Sequence, residues 1–105
     1  MSLKTQDLFD VSNKVVVVTG GSRGIGEMIT SGFLTNNSKV YITARKEEAL
    51  VKKAEELSQK YSCECIPVSG DISNSEGIDA LVNFLNDAEP EGIDFLINNA
   101  GAAWG

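Results

Sequence analysis

Apolar residues alternate between two patterns along this chain. The first is a short unbroken run. Val15–Thr19 holds four valines and a threonine, a β-branched stretch suited to a strand buried on both faces. The second is a helical spacing. Ile25, Met28, Ile29 and Phe33 fall on one side of a helix over 25–35, which "NNSK" closes. Residues 39–43 give a second strand. The clearest helix covers 46–61, where Leu50, Ala54, Leu57 and Tyr61 form one stripe. Glu47, Glu48, Lys52, Lys53, Glu55 and Glu56 cover much of the rest. A third strand spans 63–69. Ser73 or Asn74 can cap the helix that follows, whose apolar face is Ile78, Leu81, Val82 and Leu85. "EPEG" ends that helix, 93–98 reads as a fourth strand, and "NAGAAWG" follows as a loop.

The order is β-α-β-α-β-α-β. Strands alternating with helices imply an α/β fold with a parallel sheet and right-handed crossovers. No repeat or low-complexity linker divides the chain, so residues 1–105 read as one domain, with 1–13 as a lead-in. The composition, 42% hydrophobic and 23% charged, is that of a soluble globular protein. A net charge of −6 argues against a nucleic-acid surface. There is no histidine, which removes the commonest general base and the commonest metal ligand. Cys63 and Cys65 lack the spacing of a redox turn and the company of a zinc site, and read as buried strand thiols. No stretch approaches the roughly 20 apolar residues that span a bilayer, and the first residues have neither signal- nor transit-peptide character. The expected location is the cytoplasm, with no membrane partner.

The chemistry gathers at "VVVVTGGSRGIGE". A turn from a buried strand into a helix presents backbone N–H groups at the positive end of the helix, which is an anion site. Gly20 suits the sharp turn, while Gly24 and Gly26 leave room for a ligand and for close packing. Gly21 to Gly26 has the spacing of a P-loop, but Glu27 and Met28 follow where Lys and Ser/Thr are needed, so a triphosphate site is excluded. The G-x-G-x-x-G spacing does not fit either. The spacing is Gly20-x-x-x-Gly24-x-Gly26.

With its preceding threonine, "TGGSRGIG" resembles the cofactor turn of short-chain dehydrogenases/reductases. Gly70-Asp71 after the third strand and "NNAG", Asn98–Gly101, after the fourth fall where that family has its further motifs. The resemblance covers nearly all of 8–105. It implies the N-terminal part of a Rossmann-like, doubly wound sheet, an incomplete dinucleotide-binding domain. The implied cofactor contacts are Gly20, Ser22, Arg23, Gly24, Ile25 and Gly26 in the turn, and Arg45 after the second strand. Asp71, facing the adenine, and Ile72 follow the third strand, and Asn98, Ala100 and Gly101 on the ribose side follow the fourth.

Choice of nicotinamide cofactor is electrostatic. A carboxylate after the second strand favours NAD, and an arginine favours the 2′-phosphate of NADP. Ala44 stands where NAD-preferring relatives carry Asp, Arg45 follows it, and Arg23 can approach from the turn. The expected cofactor is NADP(H). The family resemblance also implies a catalytic serine and a Tyr-x-x-x-Lys pair. Tyr41 has Arg45 at that offset but lies in the second strand, and Tyr61 has Cys65. No catalytic or metal-binding residue is therefore assigned within residues 1–105. The chain looks most like 3-oxoacyl-carrier-protein reductase-type members. Its expected role is the NADP(H)-binding portion of an enzyme that moves hydride between NADPH and a carbonyl or alcohol, whose full-length form is a homo-oligomer. The alternative is a stand-alone nucleotide-binding half-domain or a non-catalytic truncated product. In either case the chain alone is expected to be inactive.

Overall fold

Val16, Val17 and Val18 have no solvent exposure and form the centre of strand β1 (Val15–Thr19). The computed structural model describes residues 10–99. It sets β1 between β2 (Lys39–Ala44) and β4 (Phe95–Asn98), with β3 (Cys65–Ser69) beyond β2. All pairings are parallel: Val17 lies opposite Tyr41 and Leu96, and Tyr41 lies opposite Ile66. Side chains alternate across the sheet. Val16 and Val18 face α1 (Gly24–Thr35) and α2 (Glu47–Tyr61), in a core with Leu34, Leu50 and Leu57. Val17 and Tyr41 face the opposite side, where Leu85 of α3 (Ser75–Ala88) packs. Helices on both faces of a parallel sheet make the doubly wound Rossmann-like architecture expected from the element order. The order β3-β2-β1-β4 opens a crevice beyond the carboxyl ends of β1 and β4, where such sheets hold ligands.

The ends of the elements have local causes. Asn36 and Asn37 stop α1, with Asn37 at φ +67° and the Asn36 amide donating to the Gly32 carbonyl. Ser62 ends α2 in the left-handed region. The Ser58 hydroxyl then accepts from the Cys65 N–H at 3.0 Å, fixing the start of β3. The Asp94 carboxylate accepts from the Val15 N–H at 2.8 Å, and the Asp94 N–H donates to the Val15 carbonyl, so β4 starts in register beside β1.

Three expectations change. The buried stripe of α1 is Gly26, Thr30 and Leu34, whereas Ile25 and Met28 are largely exposed. The helix is turned because Gly26 backs onto the glycine turn, which sets positions 26, 30 and 34 against the sheet. On α3 only Leu85 is buried, and Ile78, Val82 and Phe84 stay about half exposed. Cys63 is not a buried strand thiol. It precedes β3 and is half-buried, whereas Cys65 lies in the core, where burial pushes its thiol up to about 12.

Candidate functional site

The β1–α1 turn is built by close backbone approach. Gly20 sits at φ +69° and its N–H donates to the Thr43 carbonyl at 3.0 Å, so the chain bends sharply while staying tied to β2. Gly26 is buried in the first turn of α1. An added Cβ there would collide with the Gly20 carbonyl oxygen and meet the Asn99 amide at 2.8 Å. Behind the turn, the buried Thr30 hydroxyl donates to the Gly26 carbonyl at 2.9 Å and lies 3.3 Å from that of Gly21. Gly24 opens α1 at φ +57°, and an added Cβ would meet nothing within 4 Å. Arg23 occupies the N-cap position in extended backbone, and no side chain caps this end. The first N–H groups of α1, those of Gly24, Ile25 and Gly26, thus stand at the positive end of the helix, with open space beside Gly24.

The end of β4 is stitched to the same turn. The Asn99 N–H donates to Thr19 Oγ1 at 2.8 Å, and the Thr19 hydroxyl donates to Asn98 Oδ1 at 3.0 Å. Ala100 and Gly101 lie outside the described residues.

Two clefts meet at Ala44 and Arg45. The larger, about 650 Å³, is lined by Gly20, Arg45, Asp71, Ile72 and Asn98 from the strand ends. Ile78, Val82, Ile93 and Leu96 from α3 and the start of β4 supply its apolar wall. The smaller, about 340 Å³, is lined by Ser22, Arg23, Ala44, Arg45, Lys46 and Lys53, with no carboxylate. Lys53 is paired with Glu27 at 3.5 Å and Glu56 at 3.4 Å. Arg23, Arg45 and Lys46 have no ion pair among the described residues. A cleft with three cations that form no ion pair among the described residues, beside a helix N-terminus with no side-chain cap, suits a ligand with more than one phosphate.

Asp71 lies in the larger cleft. Its Oδ1 accepts from the Ser73 N–H at 2.9 Å and from the Ser73 hydroxyl at 2.5 Å. The hydroxyl bond, then the N–H bond, then the Arg45 charge hold its carboxyl below the usual carboxylate range. The α3 helix is capped by Asn74 instead, whose Oδ1 accepts from the Gly77 N–H at 2.7 Å.

The structure places Gly20, Arg45, Asp71, Ile72 and Asn98 on the larger cleft and Ser22, Arg23 and Arg45 on the smaller, while Gly24, Ile25 and Gly26 open α1 without lining either. The sequence reading missed Thr30, Lys46, Ser73 and Asn99. The signal for Lys46 was present, since it is the next cation after Arg45. Thr30 and Asn99 reach backbone carbonyls that only the folded turn brings near, and Ser73 acts on the Asp71 carboxylate.

A family model described as short chain dehydrogenase matches residues 14–105. The rhamnolipids biosynthesis 3-oxoacyl-[acyl-carrier-protein] reductase of Pseudomonas aeruginosa is 40% identical over 97 residues, covering 92% of this chain and 37% of that protein. Among solved structures, the Pseudomonas aeruginosa RhlG/NADP active-site complex superposes with a TM-score of 0.81 at 38% identity, over 88% of this chain and 36% of that one. L-Sorbose reductase from Gluconobacter frateurii, complexed with NADPH and L-sorbose, gives a TM-score of 0.82 at 35% identity, over 90% and 36%. The chain spans about a third of the length of these relatives.

Proposed function

Because the chain belongs to the short chain dehydrogenase family, we propose that it holds the adenosine side of NADP(H) for a reductase acting on carbonyl substrates. The observation that carries this reading is the 340 Å³ cleft where Ser22, Arg23, Arg45 and Lys46 converge without a carboxylate. Three cations and a hydroxyl suit a 2′-phosphate, and Ala44 leaves out the acid that would repel it. Next to it, the N–H groups of Gly24, Ile25 and Gly26 offer donors for the pyrophosphate. Asp71 and Ile72 line the pocket for the adenine, and Asn98 follows on the ribose side. When bound, the dinucleotide supplies the hydride. The residues of this chain bind and orient its far end.

The substrate class we propose is a 3-oxoacyl thioester or a related ketone, on the likeness to the Pseudomonas aeruginosa reductase. The resemblance's Tyr-x-x-x-Lys pair has no counterpart within residues 1–105. Tyr41 cannot serve: it is buried in β2, and its hydroxyl is committed to the Glu89 carboxylate at 2.6 Å. No helix among the described residues is long and apolar enough to cross a membrane. The location that goes with the proposed role is the cytoplasm, and the assembly that the family resemblance implies is a homo-oligomer.

Calorimetric titration with NADPH and NADH tests the reading. NADPH should bind about tenfold more tightly or better, as a charge-assisted phosphate contact implies. Arg45→Asp should shrink or reverse the preference, because the carboxylate repels the phosphate and accepts from ribose hydroxyls. Equal affinities in the unsubstituted protein would overturn the assignment.

A further inference from the structure

We propose that Ser73 is a positioning residue that aims the Asp71 carboxylate at the exocyclic amine of the adenine; this rests on the reading of the cleft as an NADP(H) site. Both hydrogen bonds from Ser73 end on one oxygen, Oδ1 of Asp71. Two donors on one oxygen fix the direction of the carboxylate plane. The second oxygen, Oδ2, takes no hydrogen bond among the described residues and belongs to a residue that lines the larger cleft.

The backbone of Asp71 is held as firmly. Its carbonyl packs on the first turn of α3 at Gly77, where an added Cβ would collide with it. Yet α3 does not need the Asp71 side chain, because Asn74 already caps it. The Ser73–Asp71 bonds are thus spare with respect to the helix. What they achieve is a carboxylate with one oxygen occupied and the other left to accept. The Ser73 bonds, and after them Arg45 on the same cleft, favour its ionised form. An ionised carboxylate oxygen only accepts hydrogen bonds. An adenosine offers two kinds of donor, the ribose hydroxyls and the 6-amino group, and on the adenine side of the proposed site the matching donor is the 6-amino group.

The experiment compares NADPH with its analogue in which purine replaces adenine, so that only the 6-amino group is lost. Calorimetry on the full chain gives both affinities, and melting temperature reports the fold. The unsubstituted protein should prefer NADPH by about tenfold, the worth of one charge-assisted hydrogen bond. Ser73→Ala should cut that preference to about threefold or less, because a freed carboxylate samples other directions, and Ser73→Thr should restore it. Should the alanine variant not fold, Ser73→Cys carries the test, since it keeps the size and leaves only a weak donor; its preference must fall. Ser73→Ala weakening both ligands equally, or lowering the melting temperature with the preference intact, would overturn the positioning role. No preference in the unsubstituted protein would overturn it too, by removing Asp71 from the adenine. That result is separate from a failed cofactor assignment, which shows as equal binding of NADPH and NADH.

Discussion

One methyl group separates the two glycines of α1 that matter most as tests. At Gly26 an added Cβ collides with the Gly20 carbonyl, whereas at Gly32, in the same helix, it meets nothing within 4 Å. Gly26→Ala should therefore destabilise the protein by ~1–3 kcal/mol, as overpacking does, and should abolish dinucleotide binding by spreading the turn. Gly32→Ala should stabilise it by ~0.5–1 kcal/mol through helix propensity alone. Urea unfolding of both variants checks the pair, and equal shifts of one sign would contradict the turn geometry. At this scale the glycine spacing and the arginines were legible in the sequence, because only glycine tolerates such turns and only guanidinium groups have that charge and reach. Thr30 and Ser73 were not legible. A hydroxyl's role depends on which carbonyl or carboxylate the fold brings to it, and nothing in "MITSG" or "GDISN" distinguishes these from surface hydroxyls.

Element boundaries were readable wherever a sharp local rule applied: the valine run of β1, the stripe of α2 and the Asn-Asn stop of α1. What the sequence did not carry was which part of an apolar face gets covered, because coverage belongs to the neighbours. The α3 helix illustrates this. Its four-residue stripe was evident, but only Leu85 is buried. The helix is held at its far end by Glu89, whose Oε2 receives the Tyr41 hydroxyl and the Lys39 ammonium, each at 2.6 Å. The Lys39 and Tyr41 bonds hold the Glu89 carboxyl below its ordinary 4.5, and the Glu89 bond raises Lys39 above its ordinary 10.5. A depressed carboxylate contributes stability that is present above its unfolded pKa and lost as pH falls through its folded pKa. The raised lysine contributes stability that is present below its own unfolded pKa and lost as pH rises through its folded one. Glu89→Gln should therefore cost ~1 kcal/mol at neutral pH, and the difference from the unsubstituted protein should vanish well below 4.5. Unfolding free energies at neutral and acid pH measure it; a difference that persists in acid would mean packing, not charge, holds this end.

Across the whole molecule, polar chemistry lies at the carboxyl ends of the strands and apolar surface lies beside β4. Phe95 and Leu96 are 40% and 59% exposed, and β4 is an edge strand among the described residues. The proposed cofactor contacts lie within a chain that spans about a third of its relatives, and its sequence holds no Tyr-x-x-x-Lys pair. The 105-residue chain should accordingly show no NADPH oxidation above background with ketones or 3-oxoacyl thioesters. Turnover by chain of verified mass would mean another group does the tyrosine's work. The most direct test of the central claim, that this cleft reads the 2′-phosphate of an adenosine, leaves the nicotinamide out. Isothermal titration with 2′-phospho-ADP-ribose and with ADP-ribose compares two ligands that differ only in that phosphate. The account predicts that the phosphorylated ligand binds about tenfold more tightly or better at low salt, with the gap narrowing as salt screens Arg23, Arg45 and Lys46. Equal affinities, unchanged by salt, would contradict it.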